Sequence, residues 1–319
     1  MVGPRSLRAW ARDLEVSPAR FGLLACWTLG VLAAVVVSGA FVRLTASGLG
    51  CENWPRCGDT PFPALEYHAA IEFGNRVVAL VGIVLTVVTW WTARKVPGLP
   101  RWVSRVGLLA AAGTIGQIPL GGVTVLTDLH PIAVMSHFFL ALIVVLAAVV
   151  VAVEARRLAA GEEPAQLDSV PLRRLAQLSA LLLPLLALLI VTGSLVTAAG
   201  PHSGGSDIAR LGNLEDAMYV HVRVSGVFGI AYLGLVLGLL RYRALARRET
   251  VASVAILGVL VAQMVVGEVQ WRNELPWEVV LAHVGLFTLV FAGFAWLSAR
   301  LVWTTGVLRR GPAALRTAQ

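Results

Sequence analysis

Charged residues are scarce in this chain of 319 residues: 14% are Asp, Glu, Lys or Arg, whereas 57% are hydrophobic. A soluble domain carries roughly 25% charged residues, so the composition excludes that class. It predicts an all-α membrane protein instead, because a helix that crosses a bilayer needs about 20 mostly apolar residues. Eight segments qualify as transmembrane helices: 21–42, 69–91, 102–126, 131–153, 172–197, 217–240, 251–269 and 278–303.

Acidic residues are also few, 18 against 26 basic ones, which gives a net charge of +8. A basic balance can indicate nucleic-acid binding, but most of the arginines lie in alternate segments between the predicted helices and at both termini. By the positive-inside rule this asymmetry places both termini in the cytoplasm. The charge therefore reports topology, with the lipid bilayer as the partner, and we infer no nucleic-acid partner.

An internal duplication sets the predicted architecture. Residues 117–142 align with residues 263–288 at an offset of 146. At that offset the matched pairs are Gln117 with Gln263, Gly121 with Gly267, Asn75 with His221, and His137 with His283. A repeat of this length indicates two pseudo-symmetric four-helix bundles. The predicted divisions are a cytoplasmic leader (1–20), a first bundle (21–155), a cytoplasmic linker (156–171), a second bundle (172–304) and a cytoplasmic tail (305–319).

The histidines form the main candidate site. His137, His221 and His283 fall within the first two turns of helices that begin at the outer face, so they lie at similar depth. A lone histidine is more often a packing residue, but a pair at matched depth suits a metal. Zinc needs three or four donors, and the second half offers two histidines without a nearby cysteine. His221 and His283 therefore suit the axial positions of a haem, with Arg223 as a candidate partner for a propionate.

A polar stripe opens the second helix, where His68, Glu72 and Asn75 share one face and Arg76 follows. Ionisable groups in a span are expensive and usually face a cavity or a partner. Glu72 is thus the strongest catalytic candidate, although a purely structural pair with Arg76 is the alternative. In the preceding loop, a bridge between Cys51 and Cys57 is feasible, and both a structural staple and a redox role stay open.

Several segments resemble the heme A synthase family in the right order across residues 21–303: RLTASGLGCENWPRC, IEFGNR, VTGSLVTAAGPHSGG and the two late histidines. The resemblance implies a pair of four-helix bundles in a bacterial cell membrane. It implies oxidation of the ring D methyl group of heme O to the formyl group of heme A, which terminal oxidases use. A heme O synthase and a membrane electron donor would be partners, and a homo-oligomer is left open.

The resemblance also implies residue roles. His221 and His283 would bind a resident haem b, and Glu72 matches the family's essential glutamate. His137 matches the histidine of the first-half pocket for substrate haem, and Cys51 and Cys57 match the cysteine pair of the first outward loop.

The chain departs from the family at Asn75, where many relatives have histidine. Asparagine is a poor iron ligand, so substrate haem would be five-coordinate through His137 or would recruit His68. We therefore predict a first-half pocket of His137, Asn75, His68 and Arg76. The alternatives are a b-type electron-transfer cytochrome, which leaves Glu72 without a role, and a haem transporter or chaperone.

Overall fold

Eight α-helices account for most of the residues that the computed structural model describes, which are 15–51, 54–57, 63, 66–162, 169–205 and 208–304. The helices are α1 (Pro18–Leu44), α2 (Tyr67–Ala93), α3 (Arg101–Leu126), α4 (Pro131–Ala159), α5 (Val170–Ala199), α6 (Leu214–Arg241), α7 (Arg247–Arg272) and α8 (Trp277–Thr304). No β-strand occurs among these described residues. The predicted tail, most of the predicted leader and the middle of the predicted linker lie outside them.

All eight helices are long and apolar enough to cross a membrane, which confirms the eight predicted spans and the class of multi-pass, all-α membrane protein. Large apolar side chains face outward, as a lipid-facing surface requires; Ile230 is 76% exposed and Leu181 is 71% exposed. Several helices begin a few residues before the predicted apolar segment, because a polar N-cap side chain accepts hydrogen bonds from the N–H groups of the first turn. The Ser17 hydroxyl accepts from the Arg20 N–H, and Asn213 Oδ1 accepts from the N–H groups of Glu215 and Asp216.

Helix packing follows the order of the chain. In the first half, α1–α4, helix α1 packs on α2 and α4, while α3 lies between α2 and α4. In the second half, α5–α8, helix α5 packs on α6 and α8, while α7 lies between α6 and α8. The halves meet mainly where α8 packs on α1 and α4. An aromatic contact lies in this interface, with the ring centroids of Phe138 and Phe287 6.2 Å apart.

Four connections meet at one end of the helices, which we call the disulfide face because the Cys51–Cys57 disulfide lies in the first of them. The Gly48 N–H donates to the Gly204 carbonyl. Arg43 donates to the His202 carbonyl, and His202 Nε2 donates to the Leu275 carbonyl. The halves are thus joined by hydrogen bonds across this face.

Gly204 is favoured as glycine mainly by its backbone. Its φ is +105°, a conformation that side chains with a Cβ rarely adopt. A Cβ at this position would also lie 2.7 Å from Leu129 Cδ1, and one at Gly48 would lie equally close to the same atom. The two glycines therefore let the loops of both halves close around Leu129.

The opposite end, the linker face, carries an ion-pair network. Glu162 pairs with Arg248 and with Arg300, and Arg300 also donates to Glu249 at 2.9 Å. The Arg157 guanidinium lies over the Trp303 ring. Since Glu162 follows α4 while Arg248 and Arg300 belong to α7 and α8, these contacts fasten the end of the first half to the second.

Candidate functional site

Each half places a hydroxyl from its first helix against the matched residue of its second helix. In the first half, the Ser38 hydroxyl donates to Asn75 Oδ1 at 2.7 Å. In the second half, the Thr192 hydroxyl and His221 Nδ1 lie 3.1 Å apart. The predicted match of Asn75 with His221 is thus reproduced in the hydrogen-bond partners of the two residues.

The Thr192 hydroxyl lies between two partners, the Leu189 carbonyl at 3.0 Å and His221 Nδ1 at 3.1 Å. When its single hydrogen goes to the Leu189 carbonyl, this hydroxyl accepts from His221 Nδ1. With the proton on Nδ1, the lone pair of this imidazole is on Nε2. A hydrogen bond from one ring nitrogen that leaves the other free is the arrangement of metal-binding histidines.

A glutamine accompanies the histidine of the last helix in both halves. Gln117 Nε2 donates to the His137 carbonyl at 3.1 Å, and Gln263 Nε2 lies 2.9 Å from His283 Nε2. In both halves the glutamine Oε1 and the histidine Nδ1 are buried without a hydrogen-bond partner. A buried unpaired polar group costs roughly 1–3 kcal/mol, so each half holds polar atoms that a ligand would satisfy.

Three histidine rings lie against glycines. A Cβ would come 3.4 Å from the ring Cε1 of His137 if built on Gly121, 3.1 Å from that of His221 on Gly193, and 3.2 Å from that of His283 on Gly267. The distances at Gly193 and Gly267 are too tight for an alanine without a small movement of the ring, whereas the distance at Gly121 is an ordinary van der Waals contact. The fourth equivalent glycine, Gly39 in the first half, has open space around it.

The second-half site, which we define as Thr192, His221, Gln263 and His283, has the donor set of a haem pocket. His221 belongs to α6 and His283 to α8 of this half. The described residues hold no group of three or more His, Cys, Asp or Glu side chains that suits a metal ion alone. Two imidazoles with unpaired ring nitrogens, set among apolar helices, therefore fit a haem better than a tetrahedral zinc.

Glu72 is buried and both of its oxygens are engaged. The Cys51 N–H donates to Oε2 at 2.8 Å, and Arg76 donates to Oε1. Arg76 also donates to the carbonyls of Pro55 and Arg56. The pair with Arg76, which the sequence left as the alternative to catalysis, is therefore present, and it fastens the disulfide loop to α2.

The disulfide loop passes very close to the start of α2. A Cβ on Gly50 would overlap the backbone of His68 and lie 2.8 Å from the Ala69 nitrogen, so the loop can follow this path only with glycine at position 50. The Ser47 hydroxyl lies 2.9 Å from His68 Nδ1. His68 is exposed at the mouth of α2, whereas Asn75 is half-buried two turns further in.

Arg223 lies apart from the other predicted site residues. It is exposed, donates to the Tyr219 carbonyl at 3.1 Å and lies over the Tyr219 ring. A separation of two residues puts it about 200° around α6 from His221. The structure thus brings together Glu72 with Arg76, but it does not place Arg223 on the side of α6 that carries His221. Its role at a propionate stays a prediction.

Four partners in these sites were not predicted as site residues: Ser38, Thr192, Gln117 and Gln263. The signal for the glutamines was present, because the duplication matches Gln117 with Gln263. The hydroxyls were harder to find, because Ser38 and Thr192 are 154 residues apart and the rest of the repeat is offset by 146. The α1–α2 connection is 22 residues long and the α5–α6 connection is 14, which accounts for the shift.

Comparisons with known proteins point to one family. Residues 22–73, which run from α1 through the disulfide loop to Phe73, match a family model described as cytochrome oxidase assembly protein, COX15-CtaA. The heme A synthase of Rhizorhabdus wittichii is 28% identical over 90% of this chain and 96% of its own length. That of Shewanella oneidensis is 26% identical over 82% of this chain and 92% of its own length.

Stronger identity is confined to part of the chain. The heme A synthase of Lysinibacillus sphaericus is 38% identical over 119 residues, which is 36% of this chain and 38% of that relative. Matches to the heme A synthases of Symbiobacterium thermophilum and Bacillus licheniformis likewise cover 44% and 36% of those relatives' lengths. The matches to these three relatives thus span less than half of their length.

Proposed function

We propose that this chain is a member of the heme A synthase family, which it resembles, and that it oxidises the ring D methyl group of heme O to the formyl group of heme A. The family membership implies that haem is involved. That the second-half site holds a resident haem b, and that the substrate is heme O, are parts of the proposal. So are the arrangement of the halves as pseudo-symmetric four-helix bundles, the division of the chain between them and the cytoplasmic placement of both termini.

One observation carries the proposal: the two sites have matching hydrogen-bond partners but differ at one candidate iron ligand, Asn75 in the first half and His221 in the second. Ser38 holds Asn75 as Thr192 holds His221, and each half sets a glutamine and a glycine against the last histidine. Two imidazoles suit a permanently bound haem. One imidazole beside an asparagine and an open glycine suits a haem that enters and leaves.

The first-half site, which we define as Ser38, Asn75, Gln117 and His137, is accordingly the substrate site. His137 would hold the substrate iron, and Asn75 would leave the other axial position without an imidazole. His221 and His283 would hold the resident haem b, which supplies reversible one-electron transfer when bound. The Phe138–Phe287 contact lies between the two sites, because Phe138 adjoins His137 and Phe287 is one turn from His283.

Glu72 has two roles in the proposal. Its carboxylate holds the Cys51 N–H and Arg76, so it keeps the disulfide loop over the mouth of the first-half site. It also shares a helix face with Asn75, so its negative charge would stabilise positive charge that develops on the oxidised carbon, or its Oε1 would accept a proton there.

The partners follow from the same chemistry. Heme O is an amphipathic molecule that a heme O synthase would deliver within the bacterial membrane, and a membrane electron donor would exchange electrons with the second half. Haem extraction from the purified chain, followed by incubation with added heme O, tests the function. We expect haem b in the preparation and heme A among the products. Haem b without conversion would indicate a plain b-type cytochrome and would contradict the proposal.

Substitution of Glu72 tests its place in the reaction. We expect Glu72→Gln to lower heme A formation by at least ~100-fold, the scale of a lost acid–base or electrostatic group, and to leave the haem b absorbance unchanged. Glu268→Gln is the matched control, because Glu268 forms an i,i+4 pair with an arginine, Arg272, on an exposed surface. Normal heme A formation by Glu72→Gln would remove the carboxylate from the mechanism.

A further inference from the structure

Four threonine hydroxyls are paired inside the first half. Thr28 of α1 and Thr89 of α2 lie 2.7 Å apart, and Thr86 of α2 and Thr114 of α3 lie 2.8 Å apart. All four side chains are buried. Such pairs between transmembrane helices can act simply as packing contacts, so a further role needs further evidence.

A small cavity supplies that evidence. Three of the hydroxyl-bearing residues, Thr28, Thr86 and Thr89, line a cavity of about 10 Å³. The remaining walls are small or β-branched apolar residues, among them Gly107 and Ala110. This volume is at the lower limit for one water molecule, and a buried water typically makes about three hydrogen bonds. The cavity thus reaches the minimum size for one water, and its three hydroxyls include acceptors for the two hydrogens of that water.

The hydrogen-bond pattern leaves acceptors for that water. Thr28 donates to the Leu24 carbonyl, so Thr89 is the donor in their pair. Thr114 lies within hydrogen-bond distance of the carbonyls of Ala110 and Ala111. Each hydroxyl has one hydrogen and two lone pairs, so the threonine oxygens keep lone pairs that can accept from a water in the cavity.

The second half carries larger side chains at the matched positions. The matched residues of Thr28, Thr86, Thr89 and Thr114 are Leu182, Tyr232, Leu235 and Leu260. All four are buried, and the Tyr232 hydroxyl is bonded to the Ser253 carbonyl. Ala148, which lines the cavity, is matched by Phe294, whose ring packs against Tyr232. In the second half, large apolar and aromatic side chains therefore occupy the space that corresponds to the threonine-lined cavity of the first half.

The cavity lies between the linker face and the first-half site. Thr89 is four residues from the end of α2, about 6 Å along the helix axis. Asn75 is eleven residues before Thr86, about 16 Å further towards the disulfide face and within about 20° of the same side of α2. The hydroxyls thus lie on the helix side that also carries Asn75.

We propose that Thr28, Thr86 and Thr89 bind an exchangeable water in the first half, on the side of α2 that carries Asn75, and that the filled interior of the second half binds none at the matched place. Thr114 positions the Thr86 hydroxyl. The water site stands on the hydroxyls and the cavity alone, so it does not rest on the proposed function.

Cysteine accessibility in membrane vesicles tests this proposal on the full chain. Cys26 is the one free cysteine among the described residues, and Cys51 and Cys57 are bridged, so Cys26→Ser gives an unreactive background. In that background we expect Thr89→Cys to react with methyl methanethiosulfonate at least ~10-fold faster than Leu235→Cys at the matched position, because a thiolate forms only where water reaches. Equal rates would overturn the proposal.

Removal of a water partner separates hydration from packing. Adding Thr28→Val to the Thr89→Cys chain should slow labelling several-fold, whereas adding Ser179→Ala should not, since the Ser179 hydroxyl bonds only within its own helix. An unchanged labelling rate after Thr28→Val would show that the threonine hydroxyls serve only in helix packing and would contradict the proposal. If Thr89→Cys does not fold, Thr28→Cys against Leu182→Cys makes the same comparison. None of these rates requires heme O, so failure of the proposed reaction would leave them interpretable.

Discussion

The two halves of the molecule keep the same frame and diverge at a few matched positions. Both have a hydroxyl on the first helix, a glutamine and a glycine on the third, and a histidine on the fourth. They differ where Asn75 replaces the imidazole of His221, and where threonines replace the large apolar residues that fill the second half towards the linker face.

Under the proposed function, this difference separates two roles of one duplicated site. The second half combines two imidazoles with a tightly filled interior, in which Phe228, Tyr232 and Phe294 pack ring against ring. The first half loses one imidazole, gains polar groups below the site, and carries the longer loop with the disulfide above it. Under the proposed function, the second half would retain its haem through two imidazoles and a filled interior. The first half would admit its haem because it has one imidazole fewer and smaller, more polar side chains.

Removal of a histidine from each half should give the largest effect. We expect His283→Ala to abolish the haem b absorbance of the purified protein, because one of the two imidazoles that would hold the haem iron is lost. His137→Ala should leave that absorbance intact and abolish conversion of heme O. Reduced-minus-oxidised spectra of both variants make the measurement. Loss of haem b in both variants would show that the halves do not bind haem independently.

Asn75→His should make the first half resemble the second. Ser38 can accept from the new imidazole as Thr192 accepts from His221, and the open space at Gly39 leaves room for the ring. We expect a second six-coordinate haem to remain through purification, with conversion of heme O slowed because its product leaves slowly. Haem-to-protein stoichiometry measures the first effect. An unchanged ratio would mean that Asn75 does not face the iron.

Alanine at the matched glycines Gly193 and Gly39 should give the smallest effect. Alanine favours a helix by up to about 1 kcal/mol over glycine, so Gly39→Ala should raise the free energy of unfolding slightly. Gly193→Ala should show no such gain and should retain less haem b, because its Cβ would press on His221. Thermal unfolding and haem content measure both. Equal stability and equal haem content of the two variants would show that the close contact between Gly193 and the His221 ring does not matter for haem binding.

Much of the fold could be predicted because the bilayer demands long apolar runs and the duplication repeats them. The sequence also revealed the matched pairs, including Asn75 with His221, since a repeat exposes a substitution as a departure from its own copy. The helix ends were less predictable. Ser17 and Asn213 begin helices from polar residues that an apolar run does not include.

The contacts of individual side chains were beyond the sequence. Glu72 was found as a buried carboxylate in a span, but its bond to the Cys51 N–H depends on how a loop returns over α2, and loop paths follow no periodicity. The threonine pairs were missed for a related reason. Thr28, Thr86 and Thr114 belong to three helices, and only their packing shows that the hydroxyls meet.

The contacts at the two ends of the molecule bear on how it assembles. Gly48 and Gly204 join the halves at one membrane surface, and Glu162 joins Arg248 and Arg300 at the other. Peptide continuity between Glu162 and Ser169 is thus one of several attachments between the halves. Two polypeptides made separately by cutting there would still carry the surfaces by which each recognises the other. The covalent join fixes their ratio at one to one, and the non-covalent contacts fix their orientation.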